Sequence, residues 1–273
     1  MNRSINKVLK YLSILALCNM SVPKCFSQKT DPAEKYTNLK KELATGWNTW
    51  NTRSVLSHVL LPEGFSINLE LKDKASGKFL REALIGRRGE GVETISAGLH
   101  SYDGAYTELI IEWQSIKVKI ESSASGNDLV ILITPLSKSN GDQLLIRPEI
   151  LWDRKGTITK NQNGFIAHLS SGNLNVDVTN SIKDIQYNDS SVLVAPLQKT
   201  IAINTGEKKS LQDIENIIGG ARKKLLTSYN KYPRLVELDK AMQNVLSWDV
   251  IYEPTHDRVI APVSRIWSVD AKG

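Results

Sequence analysis

The chain has 273 residues, 41% of them hydrophobic and 23% charged. That supplies a core for one large domain or two small ones and excludes a globally disordered chain. The net charge of +6 falls to +2 once the basic residues of 1–27 (Arg3, Lys7, Lys10 and Lys24, with no acid among them) are set aside, so nucleic acid is not an expected partner.

Residues 1–27 read as a basic stretch, MNRSINKVLK, then an apolar run, YLSILALCNMSV, then small residues Cys25 and Ser27 ahead of Gln28. This order predicts a secretory signal peptide, with an uncleaved anchor as the alternative. Leu17 before Cys18 does not fit a lipid-attachment site. Cleavage before Gln28 removes both cysteines and places the mature chain in the periplasm or outside the cell, with no disulfide and no membrane segment expected.

Asp31-Pro32 followed by AEKYTNLKKELATG predicts a short helix, capped by Asp31 and stopped by Gly46. From Phe65 the period becomes two. In SINLELK (66–72), Ile67, Leu69 and Leu71 share one face, and Ser66, Asn68, Glu70 and Lys72 share a face expected to be wet. SIKVKIE (115–121) puts Ile116, Val118 and Ile120 inward and Lys117, Lys119 and Glu121 outward. NLNVDVT (173–179) repeats the pattern, whereas LIIEW, LVILITP, LLIRPEILW, GFIAHL and SVLVAPL suit strands covered on both faces. Turn-forming ASGK, SYDG, SASGND, SKSNGD and NQNG separate them. About ten to twelve strands at this spacing predict a mainly β chain built on an antiparallel β-sandwich.

Near residue 208 the period turns helical. SLQDIENIIGGARKKLLTSYNKY opens with Ser210 and Asp213 at capping-box spacing, and Gly219-Gly220 is expected to loosen its middle. After Pro233, residues 234–252 form a second predicted helix, with Leu235, Leu238, Met242, Val245 and Leu246 at three-four spacing. The expected domains are a signal at 1–27, an N-terminal helix and sandwich at 28–208, and a helical segment at 209–273.

The chemistry-bearing motifs are few. His58, His100, His168 and His256 sit in no HxH or HExxH pair, and there is no GxSxG, GxGxxG or phosphate loop. No metal, no cofactor and no catalytic residue is expected. Two aromatic clusters remain. In GWNTWNTRSVLSHVLLP (46–62), Trp47 and Trp50 offer flat faces for sugar C–H groups, and Asn48 and Asn51 offer amides for hydroxyls. The alternative is that the tryptophans plug the junction between helix and sandwich. In WDVIYEPTHDRVIAPVSRIW (248–267), Asp249, Glu253, His256, Asp257 and Arg258 suit a solvated turn between helices. Arg265 and Trp267, two apart after Pro262, point the same way and form either a pocket wall or a partner-facing seam.

These two stretches carry a resemblance. The 248–267 stretch resembles the entry into the helical barrel of glycoside hydrolase family 63-type enzymes, relatives of processing α-glucosidases and more distantly of trehalases. The 46–62 stretch is similar to the N-terminal region of secreted bacterial members. The resemblance implies a supersandwich-like β-sandwich, linker helices and the first helix of an (α/α)6 barrel, with the rest of the barrel expected beyond Gly273 as a missing partner. It implies an α-glucoside oligosaccharide as the parent enzyme's substrate, Arg265 and Trp267 near its glucosyl pocket, and the general acid and base outside this sequence. Inverting hydrolysis sets those two carboxyl groups roughly 6.5–9.5 Å apart. Alternatives are a stand-alone secreted module that binds a carbohydrate or a partner, and a purely structural secreted protein.

Overall fold

The computed structural model describes residues 31–45, 47–48, 54–83, 93–125, 128–139, 141–180, 192–229, 233–253 and 256–261. The chain divides into two units, residues 1–36 and residues 37–273. The predicted signal peptide lies outside the described residues.

The first helix, α1 (Pro32–Thr45), starts where Asp31 accepts a hydrogen bond from the backbone N–H of Ala33 at 3.0 Å. In chain order the strands that follow are β1 (Trp47–Asn48), β2 (Ser57–Leu60), β3 (Phe65–Lys72), β4 (Phe79–Leu80), β5 (Thr94–His100), β6 (Thr107–Trp113) and β7 (Ile116–Ser125). Next come β8 (Asp128–Pro135), β9 (Gln143–Ile150), β10 (Thr157–Lys160), β11 (Gly164–Leu169), β12 (Gly172–Val178), β13 (Leu193–Pro196) and β14 (Ile201–Thr205). Two helices, α2 (Leu211–Tyr229) and α3 (Val236–Asp249), precede a hairpin of β15 (Ile251–Glu253) and β16 (Arg258–Ile260).

The fold is mainly β, with large antiparallel sheets. One sheet is six-stranded, in the order β1-β2-β3-β9-β13 with β4 added to β3. The other is eight-stranded, in the order β10-β11-β12-β14-β8-β7-β6-β5. Their facing sides meet in one apolar core, which makes the arrangement β-sandwich-like. Ile67, Leu69 and Leu71 of β3 and Ile116, Val118 and Ile120 of β7 all point into it, as their alternation predicts.

The outer face of the eight-stranded sheet is also covered. On β8, Leu129, Ile131 and Ile133 enter the sandwich core, while Val130 and Leu132 pack with Ile214, Ile218 and Leu225 of α2. This is why residues 129–133 of LVILITP are apolar without alternation: each face of the strand meets a different apolar layer. Helix α2 begins with the capping box its sequence announces. The Asp213 N–H donates to Ser210 Oγ at 3.2 Å, and the Ser210 N–H donates to Asp213 Oδ2 at 3.2 Å. It runs unbroken through Gly219 and Gly220, where an added side chain would meet nothing.

Three expectations are corrected. Ser66 and Glu70, assigned to a wet face, are buried. Glu70 sits between two guanidinium groups, with Arg147 Nε 3.2 Å from Oε1 and Arg81 Nε 3.5 Å from Oε2. Glu121, also expected outside, is 5% exposed, because α2 packs on that side of β7 and Tyr106 and Lys119 hold its carboxylate. Alternation reports which residues share a face, not whether that face stays wet. Of the residues expected in a turn between helices, Asp249 ends α3, and Glu253 and Arg258 pair across the β15–β16 hairpin. Glu253 accepts from His256 Nδ1 at 2.7 Å and from Arg258 Nε at 3.2 Å across it.

Candidate functional site

The residues singled out in the sequence fall in different places. Trp47 is 2% exposed in β1, its ring edge-on to Phe65 with centroids 6.0 Å apart, and it belongs to the sandwich core. Asn48 pairs through its backbone with Val59. Trp50, Asn51, Arg265 and Trp267 lie outside the described residues.

A cleft that the sequence reading did not single out lies where β5, α2 and α3 meet. Its volume is about 400 Å³. Its construction starts with an irregularity in β5, the last strand of the eight-stranded sheet. Ala97 pairs with Leu109, but the next pair is His100 with Thr107, so Gly98 and Leu99 together face the single residue Glu108. This β-bulge bends the edge strand. A Cβ on Gly98 would stand 2.3 Å from Glu108 Oε1, so any larger residue there would have to displace that side chain.

Helix α3 forms the opposite wall with Glu237, Lys240, Ala241 and Asn244, one helical face at three-four spacing. Gln243 Oε1 accepts from the Tyr102 N–H at 3.0 Å and so ties α3 to the turn after β5. At the end of α2, Tyr229 donates its hydroxyl to the His100 carbonyl at 3.4 Å. Both Tyr229 and His100 are buried.

The electrostatics follow from burial and pairing. The His100 ring places Nδ1 3.2 Å from the Gly98 carbonyl, which can only accept, so Nδ1 carries the hydrogen. Burial lowers the His100 pKa to about 4, with smaller opposing contributions from the Gly98 carbonyl and the Asn244 side chain. The ring is therefore neutral at pH 7. Burial also raises the Tyr229 phenol, with a smaller contribution from Asp239. Lys240 pairs with Glu237 at 2.9 Å, and Arg222 Nε lies 3.6 Å from Glu108 Oε2.

Below the cleft, Tyr106 sits between two carboxylates. Its hydroxyl is 2.9 Å from Glu108 Oε2 and 2.8 Å from Glu121 Oε1. Burial, then the two glutamates, raise the Tyr106 pKa. Two carboxylates flanking one oxygen invite comparison with a glycosidase acid and nucleophile. Here the phenol oxygen fills the space a glycosidic oxygen would need, and Lys119 binds Glu121 from another direction at 2.8 Å. The trio ties β6 to β7.

Among the described residues, no group of three or more His, Cys, Asp or Glu could hold a metal ion. No described helix is long and apolar enough to cross a membrane. In comparisons with known proteins, no family model and no curated protein matches the chain.

The site's signal in the sequence was faint. Gly98 interrupts an otherwise strand-like TISAGLH, which is the pattern of a bulge. Nothing local linked it to Asn244, about a hundred and forty positions away.

Proposed function

We propose that this chain is the N-terminal, non-catalytic region of a secreted α-glycoside hydrolase of the family 63 type. In this reading residues 1–27 are the signal, residues 28–208 the supersandwich-like domain, and residues 209–273 the linker helices and first helix of an (α/α)6 barrel. Arg265 and Trp267 form one wall of the α-glucoside pocket, and the general acid and base belong to the barrel.

The observation that carries this reading is the face α3 turns away from the cleft. Leu235, just before the helix, and Leu238, Met242 and Val245 on it are each about half exposed, at 52%, 58%, 49% and 53%. Their three-four-three spacing is the seam one helix offers another. A patch of this kind on a β-sandwich-like protein marks an interaction surface, and helices of a barrel are the partner its geometry suits. The test is release of glucose from α-linked disaccharides by the purified chain. The reading expects none, since the groups that perform the chemistry are supplied by the barrel. Sustained turnover that disappears in Arg265→Ala would overturn it.

A second reading, a secreted carbohydrate- or partner-binding module that works without a barrel, is favoured by one observation: the cleft between β5 and α3, with polar groups converging from four elements.

A further inference from the structure

We propose that the cleft between the bulged edge of β5 and helix α3 binds a neutral polyhydroxylated molecule of one or two sugar rings, held by Glu108, Lys240 and Asn244. The proposal deepens the binding-module reading and rests on it for the choice of ligand class.

Size sets the first limit. A cavity of about 400 Å³ falls in the range that small-molecule sites occupy, roughly 300–1,000 Å³. It is large enough for a sugar ring.

Charge sets the second limit. The two carboxylates of the cleft each have a cationic neighbour, Arg222 for Glu108 and Lys240 for Glu237. His100 is uncharged at neutral pH. An anionic ligand would gain no uncompensated cation, and a cationic one no uncompensated carboxylate. Either would have to break an existing pair to be bound.

Hydrogen-bonding capacity sets the third. The walls offer carboxylate oxygens that only accept, an ammonium group that only donates, and an amide that does both. A hydroxyl group is donor and acceptor in one atom, so a polyol can serve all three. Between these groups Ala97, Leu99 and Ala241 give apolar surface for the C–H side of a ring.

The edge position of β5 raises the competing idea that a peptide adds to the sheet there. Two features oppose it. The bulge at Gly98 and Leu99 breaks the register a new strand would need. Helix α3 packs against β5, so an added strand would have to fit beside that helix.

The experiment is a titration of the full chain followed by backbone amide NMR. Maltose and glucose are the neutral probes, with glucuronate and glucosamine as the charged ones. Saturable shifts are expected at Gly98, Leu99, Lys240 and Asn244 with the neutral sugars. Asn244→Leu and Lys240→Met should each weaken binding about tenfold, the worth of a hydrogen bond or two. Both residues are half-buried on a helix surface, and an unchanged melting curve checks that the fold survives. Shifts only with glucuronate or only with glucosamine overturn the proposal. So do shifts outside the cleft alone, or affinity indifferent to both substitutions. Neutral-sugar shifts confined to residues outside the cleft would overturn the cleft site and leave the binding-module reading standing, whereas no saturable shift with any of the four probes would overturn both the proposal and the carbohydrate-binding form of that reading.

Discussion

The carboxylate of Glu108 lies across the face of Gly98, so close that a Cβ at Gly98 would stand 2.3 Å from Oε1. The bulge in β5 and the absence of a side chain at Gly98 together give Glu108 its place in the cleft wall. Gly98→Val should push that carboxylate aside. Because the displaced group is the end of a side chain, the stability loss is expected to be that of modest overpacking, about 1–3 kcal/mol. Maltose affinity in the same titration should fall about tenfold. Unchanged affinity would remove Glu108 from the site.

The register of β7 can be tested on two neighbours. Val118 is 1% exposed in the sandwich core, whereas Lys117 is on the surface and paired with Glu112. Val118→Asp buries an unpaired carboxylate and should cost several kcal/mol, beyond about 4. Lys117→Asp loses a surface pair and should cost about 1 kcal/mol or less. Denaturant midpoints decide between them, and equal losses would show that the faces are misassigned.

Asp73, at the end of β3, fastens the two sheets. Its Oδ1 accepts from Ser115 Oγ in the turn between β6 and β7 at 2.6 Å, and its Oδ2 accepts from Ser76 Oγ at 2.6 Å and the Ser76 N–H at 2.7 Å. The Ser115 hydroxyl, then the Ser76 donors, pull its pKa from 3.8 down to about 2. The folded state thus favours the ionised form. That stabilisation is complete above pH 4 and is lost as pH falls toward 2. Asp73→Ala should cost about 1.5–3 kcal/mol at pH 7. The variant's stability should also change less than the parent's between pH 4 and 2.

Two buried histidines act in a higher window. Burial lowers both His58 and His100 from 6.5 to about 4. Above pH 6.5 they are neutral whether the chain is folded or unfolded. Between 6.5 and 4 the unfolded chain takes up protons that the folded chain refuses, so stability falls with pH and levels off near 4. His58 is the cleaner probe, since its Nδ1 finds no hydrogen-bond partner among the described residues. His58→Leu should return on the order of 3 kcal/mol of the loss between pH 6.5 and 4. Parallel curves for parent and variant across that window would contradict this.

Much of the sandwich was legible because strand alternation is local. Ile67, Leu69 and Leu71 announce a shared face without reference to anything distant, and Ser210 with Asp213 announces the start of α2. What covers the other face was not legible. Glu70 and Glu121 look like solvent-facing residues until Arg81, Arg147, Tyr106 and α2 arrive from elsewhere in the chain. The cleft was less legible still. His100, Glu108 and Asn244 are ordinary residues in their own segments and become a site only when a bulge and a helix converge. The aromatic residues carry the stronger local signal, and of these Trp47 is in the core.

Helix α3 is proposed to offer its exposed apolar face to a helical partner rather than to this chain's own core. This is tested most directly by the double substitution Leu238→Glu, Val245→Lys, read as the denaturant midpoint of the isolated chain. Both side chains are more than half exposed, so stability should stay within about 0.5 kcal/mol of the parent. A loss of several kcal/mol would mean that the face is already covered within this chain, and the claim that it awaits a helical partner would be contradicted.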